Sequence, residues 1–376
     1  MSSWIKNINL EGDRTIWGVV LALSLSSILV VYSTAGWHFL FSHISKLLLG
    51  LFAMYVVHKI KFKYFSKLGQ LGFLFSLFLL VLVLLIGVSV NGASRWLQIA
   101  GQQFQPSDIA KLAILVYMAR QISKQRDYLH DFKELFWYVL GPLLLVCILI
   151  LPNNFSTAAL VFINGLVMMF VGKIRIKFIA AIIGFAFVGS LTIYTTAKFT
   201  PLGTKIMPRS ATWVSRIDSF FIDNEGDEQS KDFQQTQALV AIQNGGLTGL
   251  GPGKSTQRNI LPYSSSDFIY AIIIEEYGLF GGVLALLFYL ILMFRAIRIA
   301  LRVESVFGSL LTTGLMFSLV FQALINMLVS VDILPVTGQT LPLISMGGTS
   351  IVFSCIAIGI VLSVSRDATD RKYEKV

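Results

Sequence analysis

Three places in this 376-residue chain set ionisable side chains among apolar ones at spacings that suggest chemistry. In Gln105-Pro106-Ser107-Asp108-Ile109-Ala110-Lys111, Asp108 and Lys111 stand three residues apart, so on a helix they share a face and can pair. Pro106 suits the first turn of that helix. Such a pair either serves a charged ligand or merely orients a short helix, and spacing leaves both open. In Ser264-Ser265-Ser266-Asp267-Phe268-Ile269-Tyr270, a carboxylate stands where a serine-rich loop turns into an apolar helix. Asp267 is there either a helix cap, held by free N–H groups and the helix dipole, or a functional acid at the membrane margin. Glu275 and Glu276 follow eight and nine residues later, about 12–13.5 Å further along a helix. Two adjacent carboxylates cannot face one partner, so at least one must line a cavity or bind backbone.

The third place is Leu334 to Ser350, an apolar stretch with Pro335, Pro342, Gly338, Gly347 and Gly348. It predicts non-helical backbone at membrane depth, tolerated only when buried in protein or lining a cavity. Gly347 and Gly348 could turn N–H groups toward a phosphate, although small residues also permit close helix packing. Residues 241–253 carry five glycines and are followed by Lys254 and Arg258. That segment either lays backbone and cations against an anionic, hydroxyl-rich ligand or is a flexible linker. Ahead of it, residues 233–242 read as a short amphipathic helix resting on the membrane surface.

The elements that must position these groups are membrane helices. Hydrophobic residues make up 55% of the chain, charged ones 13%, and the mean hydropathy is +0.74, outside the range of soluble domains. Two cysteines exclude a disulfide scaffold, and Cys147 and Cys355 read as packing residues. Four histidines without ligand spacing give no zinc site. Apolar runs of membrane-spanning length fall near 15–35, 39–57, 68–88, 106–119, 135–152, 155–171, 178–197, 267–294, 305–330 and 341–365. The first has no cleavage site and reads as an anchor. The fold predicted is an all-α polytopic membrane protein of ten transmembrane helices, a single domain over 1–376. Its large extracytoplasmic loop, about 198–266, lies between helices 7 and 8.

The net charge of +10 sits almost wholly in the segments that this topology assigns to the cytoplasm, which carry 20 basic and 9 acidic residues. The short segments of the other side hold only Lys46 and Arg95. The charge is therefore topological and predicts cytoplasmic termini, with no nucleic-acid partner. The acidic stretch Asp223 to Asp232 reads as a solvated loop tip.

In their joint order several segments resemble the SEDS family (shape, elongation, division and sporulation), the FtsW/RodA-type peptidoglycan glycosyltransferases. They are Gly92 to Leu97, Gln105 to Asp108 with Lys111, Gln234 with Gln237, Ala241 to Gly251, Leu261-Pro262 with Asp267-Phe268-Ile269, Glu275 to Gly278, and Leu334 to Ser350. The resemblance implies polymerisation of lipid II into glycan strands at the outer face of the bacterial cytoplasmic membrane. It makes Asp267 the catalytic base, taking a proton from the acceptor sugar's 4-hydroxyl. A lipid pyrophosphate leaves, so cations must absorb its charge: Arg95, Lys111, Lys254 and Arg258 are the candidates, with a divalent cation (Mg or Mn) as a further one. Asp108, Gln234, Gln237, Glu275, Glu276, Ser345, Gly347 and Gly348 complete the substrate-binding set. Partners implied are a class B penicillin-binding protein, other divisome membrane proteins and membrane lipid. Pro335 to Pro342 and the short tail look closer to the FtsW than the RodA branch, so a division role is expected, with elongation as the alternative.

This chain departs from the family at Asn153-Asn154, where an Asp is common, at Tyr263 for Glu, and at Asp108 for the longer Glu. A flippase for the lipid-linked precursor is the rival class, and it predicts charges at the midplane and inverted repeats, of which none is evident. A non-catalytic division scaffold would leave Asp267 dispensable.

Overall fold

The structure, a computed structural model, describes residues 11–90, 93–99, 101–200, 209–221 and 232–374. Gly92 of the first motif and residues 223–231 of the acidic stretch lie outside these residues. The apolar runs become helices: α1 (Arg14–Lys59), α2 (Phe65–Ile86), α3 (Pro106–Lys124), α4 (Phe132–Ile150), α5 (Phe155–Val171), α6 (Ile176–Phe199), α7 (Ser210–Phe221), α8 (Asp232–Gly245), α9 (Ile269–Arg302), α10 (Val306–Ser330) and α11 (Thr349–Glu374). Seven of these (α1, α2, α4, α6, α9, α10 and α11) are long and apolar enough to cross a membrane. The first, 46 residues long, contains non-helical Gly36 at φ 74°, where the two predicted spans 15–35 and 39–57 meet. Asp13 starts α1 by accepting the N–H groups of Thr15 (2.9 Å) and Ile16 (3.2 Å), and its other oxygen receives Arg295 Nε of α9 at 2.8 Å.

The all-α prediction is corrected by a small antiparallel meander, β1 (Val88–Val90), β2 (Ala93–Ile99) and β3 (Gln102–Phe104). Val88 pairs with Trp96 and Leu97 with Phe104, and Gly101, at φ 78°, turns β2 into β3. Leu97 is buried against Leu79 and Val83 of α2, which fixes the meander to the bundle.

Other boundaries move too. The last predicted span, 341–365, begins at Thr349, because the carbonyls of Gln339, Thr340, Pro342 and Ile344 receive side-chain donors instead of a helical ladder. Lys46 lies inside α1 and not in a loop. The predicted loop 198–266 contains α7 and α8. The latter packs one face on the bundle: Ala238 and Ala241 are buried with Leu261, Phe268, Ala271, Ile272 and Val329, their small side chains letting backbones approach.

Within α9, Gly278 at φ 70° breaks the helix. In an unbroken helix the carbonyls of Glu275 and Glu276 would receive the N–H groups of Leu279 and Phe280. Here Leu250 and Gly251 donate to them, each at 2.9 Å, and Leu279 N–H turns to Gly246 O at 2.9 Å. The glycine segment thus docks backbone to backbone. A Cβ on Gly245 would stand 2.1 Å from Ile274 O, and one on Gly249 2.3 Å from Glu276 O. It is a plug for a helix break, and neither a free linker nor an open cradle.

Candidate active site

Several polar residues that enter the bundle serve the non-helical segment 331–348. Carbonyls there have neither a helical ladder nor bulk water, so side chains must satisfy them. Asn326 Nδ2 of α10 donates to Gln339 O and to Asp267 O, both at 2.7 Å. Gln322 Nε2 donates to Thr340 O at 2.9 Å, and Tyr289 OH to Pro342 O. Ser345 Oγ donates to Ser266 O at 2.6 Å and accepts Leu341 N–H at 2.7 Å, while Met346 N–H reaches Ser265 O at 2.8 Å. Two loops, the one entering α9 and the one leaving α10, are thereby clamped together, with Asp267 at their junction.

Asp267 is half-buried, and its Oδ2 faces Gly338, where an added Cβ would sit 3.6 Å away. The capping alternative does not hold: the N-cap of α9 is Phe268, without a side-chain cap bond. The carboxylate therefore keeps its accepting capacity. Three arginines surround this region. Arg95 Nε (2.7 Å) and Arg209 Nη1 (2.9 Å) both donate to Asn153 O, and Arg216 Nη1 donates to Val336 O at 3.0 Å. Burial pushes the Asp267 carboxyl above its usual range, against the pull of the Ser266 hydroxyl, Arg216 and Arg95. Burial, then Arg209 and Arg216, bring Arg95 down to about 10, still charged at neutral pH. Arg209 and Arg216 are lowered mainly by burial.

Sequence reasoning missed Arg209 and Arg216. Seven residues apart, one just before α7 and one in its middle, they lie about two turns apart on one face, with Trp213 between them tilted on Phe155 at 5.1 Å. That spacing in an amphipathic stretch was the available signal. On the other side of α7, Asp218 accepts Tyr194 OH at 2.6 Å and Lys198 Nζ at 2.9 Å, tying it to α6.

The remaining candidates scatter. Asp108 and Lys111 do not bond each other: Asp108 accepts Thr349 Oγ1 at 3.0 Å, and Lys111 Nζ donates to Gln322 Oε1 at 2.6 Å. Both line a cavity of about 30 Å³ between α3, α10 and α11, and through Gln322 and Thr349 they hold both ends of segment 340–349. Glu275 is fully buried, and its carboxylate accepts Ser255 Oγ, Thr256 N–H (3.1 Å), Thr256 Oγ1 (2.8 Å) and Gln257 N–H (3.3 Å). It binds backbone, one of the two outcomes expected for at least one of the adjacent carboxylates. Glu276 accepts Ser33 Oγ of α1. Arg258 Nη1 donates to Ser33 O (3.0 Å) and Gly253 O (3.1 Å), so it closes a helix end. Lys254 is exposed, and Gln234 and Gln237 are half-buried on α8. Ser345 has its hydroxyl committed as above, and Gly347 N–H goes to Ser345 O at 2.7 Å instead of toward a phosphate, while Gly348 is half-buried just before α11. Asn154 Oδ1 accepts Thr157 N–H at 3.1 Å and caps α5, the task an Asp there would also perform.

A divalent cation of the Mg or Mn type needs several oxygen ligands. Among the described residues no three His, Cys, Asp or Glu side chains come together, and Asp267 is a single carboxylate facing guanidinium groups. These residues form no all-protein cage for such an ion, which would have to take most of its ligands from water and a bound diphosphate.

The model of the FtsW/RodA/SpoVE family of cell cycle proteins matches residues 11–370. The chain is 31% identical over 356 residues to the "Probable peptidoglycan glycosyltransferase FtsW" of Geobacter sp. (strain M18), covering 93% of each. It is 32% identical over 322 residues to the stage V sporulation protein E of Bacillus subtilis (strain 168), covering 85% of this chain and 84% of that one. Among solved structures it is similar to the rod shape determining protein RodA of Thermus thermophilus, with TM-score 0.67 and 25% identity over 95% of this chain and 97% of that one. A chain from a peptidoglycan synthase complex that coordinates polymerization and crosslinking shares the fold at TM-score 0.79 and 24% identity, over 95% and 98%. By the extent of these matches, the chain belongs to the FtsW/RodA/SpoVE family.

Proposed function

We propose that the chain is a peptidoglycan glycosyltransferase that polymerises lipid II into glycan strands at the outer face of the bacterial cytoplasmic membrane. The observation that carries the reading is Asp267: a carboxylate freed from capping, clamped by its backbone and set in the field of Arg216 and Arg95, with Arg209 beside Arg95 on Asn153 O, in a chain of this family. The acceptor hydroxyl gives its proton to Asp267 as its oxygen bonds to the donor's anomeric carbon. The bond from that carbon to the diphosphate oxygen breaks, and the lipid diphosphate leaves with the electron pair. The guanidinium groups meet the charge that grows there.

Ten membrane passes, both termini in the cytoplasm and segment 198–266 outside belong to this reading. They are supported by the 46-residue length of α1, which the Gly36 break divides into two halves, and by the bias of basic residues. A class B penicillin-binding protein, other divisome proteins and a division role are further parts of it, and the shared fold with a chain of a synthase complex supports the first.

The test is polymerisation of lipid II by the full chain with its partner. Asp267→Asn keeps the shape and removes the base, so the rate falls by about 10²-fold or more while lipid II still binds. A variant within threefold of wild type removes Asp267 from the reaction.

A further inference from the structure

His43 is a buried histidine, 1% exposed, that belongs to none of the sites above. It lies in the second half of α1, and its Nε2 stands 2.6 Å from the Oγ of Ser27 in the first half, on the other side of the Gly36 break. Ser27 has one hydroxyl proton, and its Oγ is a donor to Ile344 O at 2.8 Å. The oxygen therefore accepts from Nε2, which places the ring's proton there and leaves Nδ1 as a lone pair. Among the described residues that Nδ1 is buried without a hydrogen-bond partner. A second proton would have nothing to bond, so the ring is held neutral in one tautomer.

From Ile344 the chain continues into Ser345, whose Oγ holds Ser266 O at 2.6 Å. That carbonyl belongs to the peptide unit entering Asp267. Asn326 holds the next one, Asp267 O, at 2.7 Å. Both peptide planes around the carboxylate are thus fixed, one from α10 and the other from a chain of bonds that begins at His43. A leucine could fill the volume in this apolar setting, so a polar group there needs a polar task.

Resting on the polymerase reading, we propose that His43 is a positioning residue for Asp267, acting through Ser27 and the Ile344–Ser345 backbone. Displacing a reacting group by about 1 Å can cost 10²-fold in rate, so a partial loosening is felt in kcat. His43→Leu removes the donor. His43→Gln returns an amide nitrogen the same number of bonds from Cα.

The experiment compares lipid II polymerisation by the full chain with its partner for wild type, both His43 variants, Ser27→Ala and the double variant Ser27→Ala/His43→Leu. Hydrogen exchange of residues 263–268 and 341–347 is measured in the same preparations. His43→Leu lowers kcat roughly tenfold with KM within about twofold, His43→Gln recovers to within about threefold, and the double variant is no worse than either single one. Exchange at 263–268 rises in His43→Leu and not in His43→Gln. Wild-type kcat and exchange in His43→Leu overturn the proposal, as does a His43→Gln variant as poor as His43→Leu. If wild type makes no strands, the polymerase reading fails, and the exchange comparison still decides the positioning.

Discussion

Substituting alanine at Gly249 and at Gly253 separates backbone strain from docking. Both glycines have positive φ, 79° and 75°, so each alanine meets the same left-handed penalty of roughly 1–2 kcal/mol. Around Gly253 nothing lies within 4 Å of the new Cβ, and its cost ends there. At Gly249 the Cβ would stand 2.3 Å from Glu276 O and 2.5 Å from Gly278 N, both backbone atoms that cannot swing aside. The segment must lift from the α9 break, losing the bonds Leu250 to Glu275, Gly251 to Glu276 and Leu279 to Gly246. At about 1 kcal/mol each these add about 3 kcal/mol, for a total of about 4 kcal/mol or more, since freed groups at depth carry a further penalty. Unfolding in detergent is read as an apparent Tm at one scan rate, together with hydrogen exchange at 246–251 and 275–280. Gly249→Ala lowers Tm by several degrees more than Gly253→Ala and speeds exchange in both segments. Equal losses, or unchanged exchange at 275–280, refute the docking.

Arg209→Ala and Arg216→Ala each lower kcat/KM for lipid II by about 10²-fold if their guanidinium groups meet the leaving diphosphate; a loss under threefold removes them from that task. Burial holds the Asp267 carboxyl above its usual range, so the base is lost to protonation as pH falls, and the acid limb of the rate lies above that range. Arg216→Gln removes a charge that draws the carboxyl down, which moves that limb to higher pH, and a limb that stays put or moves down contradicts the assignment. Asn154→Ala loses the α5 cap and costs about 1 kcal/mol, whereas Asn154→Asp keeps it; thermal unfolding distinguishes the two.

Much of the architecture was legible because it depends on local composition. Long apolar runs became α1, α2 and α10 within a few residues, α9 ran on past the expected 294 to Arg302, and the prolines and glycines of 334–350 announced non-helical backbone. The meander at 88–104 was not legible, since its strands of three to seven residues carry little periodic signal and take their stability from Leu97 against α2. At the candidate site, Asp267 stood out by type and place. Arg209 and Arg216 did not, because α7 meets the 150s and the 330s only in space. Spacing proposed a pair between Asp108 and Lys111, yet each found a nearer partner, Thr349 and Gln322, more than two hundred residues away.

What the chain determines by itself is where it is apolar enough to enter a membrane, where it cannot remain helical, and which carboxylates stand at those margins. These follow from side-chain transfer energies and backbone sterics, which act residue by residue. Tertiary structure alone decides which polar groups are consumed in holding buried backbone and which stay open for chemistry. Inside a membrane each freed carbonyl or N–H must be satisfied by whatever the fold brings near. Glu275, Arg258 and Ser345 are engaged in that way, and Asp267, with its backbone held and its carboxylate uncapped, is not.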